Sequence, residues 1–171
     1  MSDSHPVRQQ FEREIEELVQ RLVNLAQAVE ASLLQATRSL VDQNSELADQ
    51  VIIKEDAVNA ATYDIEDYIN TVIAREQPVA TDLRFIITTL HVVIALERVG
   101  DLSVHIAKVA QKLSAETYIK PLISMNVMAE RAVQMVSQAV NAYVSRDAQA
   151  ADEVAAGDDL IDNTYSQLFR E

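Results

Sequence analysis

The chain has 171 residues, 49% of them hydrophobic, and 27 Asp and Glu against 14 Lys and Arg give it a net charge of −13. So acidic a chain lacks the basic footprint of a nucleic-acid binder, and an anionic membrane surface would repel it unless a membrane protein received it. With no cysteine, disulfides, thiolate catalysis, zinc fingers and iron–sulfur clusters are excluded.

Only 2 Gly and 3 Pro interrupt a chain rich in Ala, Leu, Val, Glu and Gln, which argues for long helices and few turns. Residues 1–6 read as a frayed tail. From Val7 the apolar positions step by three or four through Phe11, Ile15, Leu18, Leu22, Leu25, Val29, Leu33 and Ala36 to Leu40. That spacing predicts one amphipathic helix of about 35 residues, roughly 50 Å long. Asp42 to Ser45 breaks it, with Ser45 as the expected N-cap of a second helix over about 46–75. The second helix carries an apolar stripe through Leu47, Val51, Val58, Ala61, Ile65, Ile69 and Val72. Beside that stripe, about 70° away, run Glu55, Asn59, Thr62 and Glu66, so these oxygen-bearing side chains are expected to border the core.

Gln77-Pro78 ends the second helix, because proline disfavours helix in the residue before it. The third helix, centred on 82–112, is the stretch around which the chain is organised. Phe85 to Leu96 is apolar nearly all round, which reads as a buried helix. Leu83, Ile87, Leu90 and Ile94 form one stripe, and Glu97 and Asp101 continue it, while the apolar side moves to Val99, Leu102, Ile106, Val109 and Leu113. Carboxylates that emerge from a core stripe must pair or meet a cation. Gly100, between them, reads either as close helix packing or as room for ligand atoms. Residues 114–121 form a linker closed by Pro121, and a fourth helix over about 122–145 and a fifth from Ala148 follow.

A shift of 103 residues lays Ala36, Val41, Ala48, Asp49 and Val51 on Ala139, Val144, Ala151, Asp152 and Val154. It lays Glu55 on Asp158 and Asn59 on Asp162. The pattern predicts a duplication with units at 7–113 and 122–171. Copies of Glu97 and Asp101 would fall beyond Glu171, so the second unit reads as cut short before its last helix. Apolar faces meant for that helix would favour self-association as a homodimer or oligomer.

The entry REQPVATDLR, the run IITTLHVVIALERVGDLSVHIAK behind it and the string KEDAVNAATYDIEDYI on the second helix together resemble the PhoU family of phosphate-signalling regulators. The resemblance implies an all-α fold of tandem three-helix bundles. It implies a multinuclear metal site, of iron or zinc, on the Glu-x-x-x-Asp motif of helix three, here Glu97 and Asp101. Helix two would supply Glu55, Asn59 and Glu66, with Thr62 standing where an acidic residue is often found. Asp158 and Asp162 would be the matching ligands of the second repeat. The implied role is not enzymatic: an adaptor between the ATPase subunit of a phosphate importer and a sensor histidine kinase, cytoplasmic and peripheral at the inner face of the membrane through these partners.

The residues alone leave other readings. The carboxylates could pair with Arg84, Arg98 or Lys108, leaving a metal-free helical scaffold or interaction protein. A carboxylate-bridged di-iron oxidase needs Glu-x-x-His pairs, which the chain lacks, and His105 reads as an edge histidine. No Gly-rich phosphate loop is present, and no stretch of about 18 apolar residues spans a membrane.

Overall fold

The computed structural model describes residues 6–119, 122–158, 161, 165 and 166. Five helices follow one another: α1 (Pro6–Val41), α2 (Ser45–Glu76), α3 (Ala80–Leu113), α4 (Ile123–Ser145) and α5 (Ala148–Ala156). The first three form an up-down-up bundle. Lys54 donates to Gln35 and Arg21 pairs with Asp64 across α1 and α2, so these run antiparallel. Gln111 of α3 donates to Asp49 of α2, which sets those two antiparallel as well. α4 packs on α1, and α5 folds back on α4.

The core is where the long periodicities meet. Leu18, Leu22, Leu25 and Val29 of α1 interlock with Ile65, Ile69 and Val72 of α2 and Ile86, Val93 and Leu96 of α3. A second cluster of Ala36, Leu40, Ala48, Val51, Val104 and Ala107 fills the other end with smaller side chains. The expected stripes of α1 and α2 are thus the observed ones, apart from Thr62, which is buried in the core instead of bordering it.

α3 differs from its sequence reading. Its buried line runs through Ile86, Thr89, Val93, Leu96, Gly100, Val104 and Ala107. The line that leads into the carboxylates is a rim: Ile87 and Ile94 are about two-fifths exposed. Leu102 and Val109, expected on the apolar side, are 59% and 44% exposed. A stretch apolar on every side cannot itself say which side faces inward. The packing of α1 and α2 chooses it, and it chooses the side carrying Gly100 and the small Thr89, Ser103, Ala107 and Ala110, where helices approach closely.

The breaks are built by capping. Asn44, not Ser45, caps α2, its side chain accepting from the Leu47 amide at 3.0 Å. Gln43 before it is left-handed, φ 52°. The same turn recurs 103 residues on. Arg146 has φ 56°, and the Asp147 side chain accepts from the Ala150 amide at 3.0 Å. The amides of Asn44 and Asp147 each donate to the carbonyl five residues back, Ser39 and Ala142, at 2.9 Å. The linker is fastened to the first of these turns, for Gln43 donates to the carbonyls of Leu113 and Glu116, and Tyr118 donates to that of Leu40.

Candidate metal site between the second and third helices

Gly100 fixes how α2 and α3 meet. A Cβ there would stand 3.3 Å from Val58 Cγ1 and 3.8 Å from Val29 Cγ2, so the glycine lets three helices converge. Close packing, one of its two readings, is therefore present. Beside it a hollow of about 10 Å3, roughly the room of one water, opens among Ser32, Glu55, Asn59, Gly100 and Asp101. Three of the expected ligands thus line one small space. Glu55 and Asn59 are half-buried and Asp101 is exposed.

The other two helix-two and helix-three ligands stand apart. Glu97 is half-buried and precedes Asp101 by a turn. Glu66 is 11 residues beyond Glu55, roughly 16 Å along α2. Because α3 runs the other way, the contact of Val58 with Gly100 puts Glu66 level with the early half of α3 and not with Asp101. Among the described residues no three His, Asp or Glu side chains gather closely enough to hold a metal ion. The four carboxylates therefore do not meet at one point: helix rise spreads them along the seam.

The alternative in which basic neighbours neutralise them is not realised either. Among the described residues the ion pairs join Arg8 to Glu12, Arg21 to Glu17 and Asp64, and Arg75 to Glu14. Glu55, Glu66, Glu97 and Asp101 take part in none of them. One turn from both Asn59 and Glu66, the Thr62 hydroxyl is buried and has no hydrogen-bond partner. The seam thus carries carboxylates without ion-pair partners, and the core behind it an orphaned hydroxyl. Its donor set is all oxygen, which fits one hard cation held by Glu55, Asn59 and Asp101. As placed, it is too dispersed for a cluster of ions.

In the second unit Asp158 is exposed, and Asp162 lies outside the described residues. His91 and His105 are exposed on the outer side of α3, as an edge histidine should be. Sequence reading missed Ser32, which only the packing of α1 brings to the hollow. It also missed the cluster at the other end of α2. There the buried Glu14 accepts from Tyr68 and Gln10 and pairs with Arg75 at 3.5 Å. These hydrogen bonds, that of Tyr68 foremost, hold the Glu14 carboxyl below the usual carboxylate range. Burial, and then the Glu14 bond, push the Tyr68 hydroxyl up.

The fold defines a class: an all-α protein in which a three-helix bundle is followed by the repeated start of a second. The PhoU domain family model matches residues 22–110 and 125–171. The phosphate-specific transport system accessory protein PhoU homolog of Aquifex aeolicus is 36% identical over 159 residues, covering 93% of this chain and 72% of the relative. That of Clostridium acetobutylicum is 33% identical over 165 residues, covering 96% and 75%. The crystal structure of PhoU from Pseudomonas aeruginosa superposes with a TM-score of 0.87 at 32% identity, covering 94% of this chain and 77% of that one. The phosphate transport system regulatory protein PhoU from Streptococcus pneumoniae gives 0.84 at 28% identity, covering 92% and 74%. The chain belongs to the PhoU family.

Proposed function

We propose that this chain is an accessory regulator of phosphate transport, acting without catalysis as an adaptor. Its partners in this reading are the ATPase subunit of a phosphate importer and a phosphate-sensing histidine kinase, met at the cytoplasmic face of the membrane. The observation that carries the reading is the family match across both units. The relatives' names as accessory and regulatory proteins of phosphate transport support it. Among the described residues, no helix is long and apolar enough to cross a membrane. Contact with an importer would therefore come through docking.

The metal belongs to the same proposal. Glu55, Asn59 and Asp101 would hold one ion beside Gly100, and a multinuclear site would have to recruit Glu97 and Glu66. The ion would supply positive charge to a seam that has none of its own. Iron suits this donor set better than zinc, which favours Cys and His ligands absent from the hollow. Asp158 and Asp162 would be the counterparts in the second unit.

One experiment separates the two parts. The chain is expressed in a bacterium lacking its own homologue, with a phosphate-starvation reporter, and its metal content is measured after purification without chelator. Restored repression in phosphate-rich medium is expected, with about one iron per chain. Glu55→Ala with Asp101→Ala should remove the metal and leave helicity unchanged. A folded chain that leaves the reporter on overturns the adaptor reading. Metal retained by the double variant overturns the site.

A further inference from the structure

Five basic side chains of α3 stand seven residues apart: Arg84, His91, Arg98, His105 and Lys112. All five are exposed, and among the described residues no ion pair involves any of them. Between them, three or four residues on from one and before the next, come Ile87, Ile94, Leu102 and Val109, which are between 39% and 59% exposed. One outer face of α3 thus alternates basic and aliphatic side chains over roughly 42 Å. The chain holds 27 carboxylates, and none of them stands on this face. Glu97 and Asp101 lie to its α2 side, where Asp101 borders the hollow beside Gly100.

The period says what shape fits. A straight α-helix drifts by about 20° per seven residues, so a strict seven-residue ladder slants slowly round it. The surface that follows this slant is a second helix wound on the first in a left-handed supercoil, whose own side chains recur every seven residues. A flat phospholipid surface would meet the slanted ladder over only part of its length. The charge says what chemistry fits. A second copy of α3 laid on the ladder would set cation against cation. A helix with carboxylates at the same period complements it, and the four aliphatic side chains supply apolar area between the charged positions.

We propose that the outer face of α3 is the docking surface for a helix of another protein, one that carries carboxylates at seven-residue intervals with aliphatic side chains between them. This deepens the adaptor reading and rests on it for the existence of such a partner. With a net charge of −13 the molecule as a whole repels an acidic helix, so the ladder also fixes where on the surface that helix lands.

The test uses the full chain and a synthetic helix of about four heptads, with Glu at each first position, Leu at each fourth and mainly Ala and Gln elsewhere. Fluorescence anisotropy of the labelled peptide should show binding that weakens as salt is added. Arg84→Glu with Arg98→Glu should raise the dissociation constant about tenfold or more, equal to about 1.4 kcal/mol. A peptide with Lys in place of each Glu should prefer the double variant to the native chain. Arg8→Glu with Arg38→Glu, the same change of charge on exposed sites of α1, should leave binding of the Glu peptide nearly as it was. Both altered α3 sites are exposed, so the thermal melt should stay in place. In the reporter strain the α3 variant should lose the repression that the native chain gives. Equal repression by the two overturns the surface and leaves the adaptor reading standing. A native chain that binds no Glu peptide, or equal weakening by the α1 variant, also overturns it. So does a native chain that sediments with anionic phospholipid vesicles, or forms a dimer, and loses this in the α3 variant while ignoring the peptide.

Discussion

Tyr68 and Glu14 show how a single contact near the surface becomes a stability term. Glu14 is buried on α1 and takes hydrogen bonds from Tyr68 and Gln10. Arg21 stacks over the Tyr68 ring at 4.3 Å and pairs with Glu17 and Asp64, so the tyrosine is held from two sides. Because the folded-state pKa of Glu14 lies below the ordinary 4.5, its contribution is present above that value and is lost as pH falls through the folded pKa. Tyr68→Phe removes the largest cause of the depression. It should cost about 1.5–3 kcal/mol at neutral pH, as expected for a hydrogen bond to a charged group. It should also flatten the fall in stability on acidification. Urea melts of both proteins at neutral pH and through the carboxylate range check this; parallel pH profiles would refute the assignment. The sequence carried no signal of this pair, since the two residues lie on different helices 54 positions apart.

Helix ends are decided at the scale of the element. α2 and α5 begin in the same way, with a left-handed residue followed by a side-chain cap, Asn44 in one and Asp147 in the other. Their consequences differ because α2 is 32 residues long and anchors the core, while α5 has 9 described residues and none of them is buried. Asn44→Ala should lower global stability by about 1 kcal/mol. Asp147→Ala should cost a similar local amount, and most of it should appear as fraying of α5 with little change in the global midpoint. Calorimetry and amide exchange on both variants distinguish the two, and an equal fall in midpoint would show that α5 is part of the cooperative unit. The turn was legible in the sequence as a polar break, but the choice of Asn44 over Ser45 was not. Both are good cap residues, and only the left-handed Gln43 before Asn44 settles which one turns inward.

At the scale of the whole molecule the second unit hangs on α1 and on a patch of α3 around Phe85 and Thr89. Tyr143 of α4 stacks on Phe85, with ring centroids 5.2 Å apart, and donates to the Phe85 carbonyl at 2.8 Å. Its hydroxyl also lies 2.7 Å from that of Thr89, and Arg146 sits over the Phe85 ring. Further along, α3 and α4 part around an apolar groove of about 350 Å3 between Val92, Leu96 and Val136. Tyr143→Ala should therefore loosen α4 and α5 together while sparing the first bundle. It is expected to cost about 2–3 kcal/mol, below a fully buried aromatic because the residue is only half-buried. Hydrogen exchange should quicken across α4 and leave the amides of α2 protected. Uniform quickening would mean that the two units unfold as one.

The sequence by itself determined the helices, their breaks, the repeat of 103 residues and the family, because periodicity, capping residues and motif order are properties of the chain. It also named Glu55, Asn59 and Asp101, which the fold brings to one hollow. It did not determine the inward side of α3, for a helix apolar all round has no direction until neighbours pack on it. Nor did it reveal that Glu66 and Glu97 stand away from that hollow. Convergence depends on the register of two antiparallel helices, and that register is set by one glycine at their closest approach. Only tertiary structure supplies it.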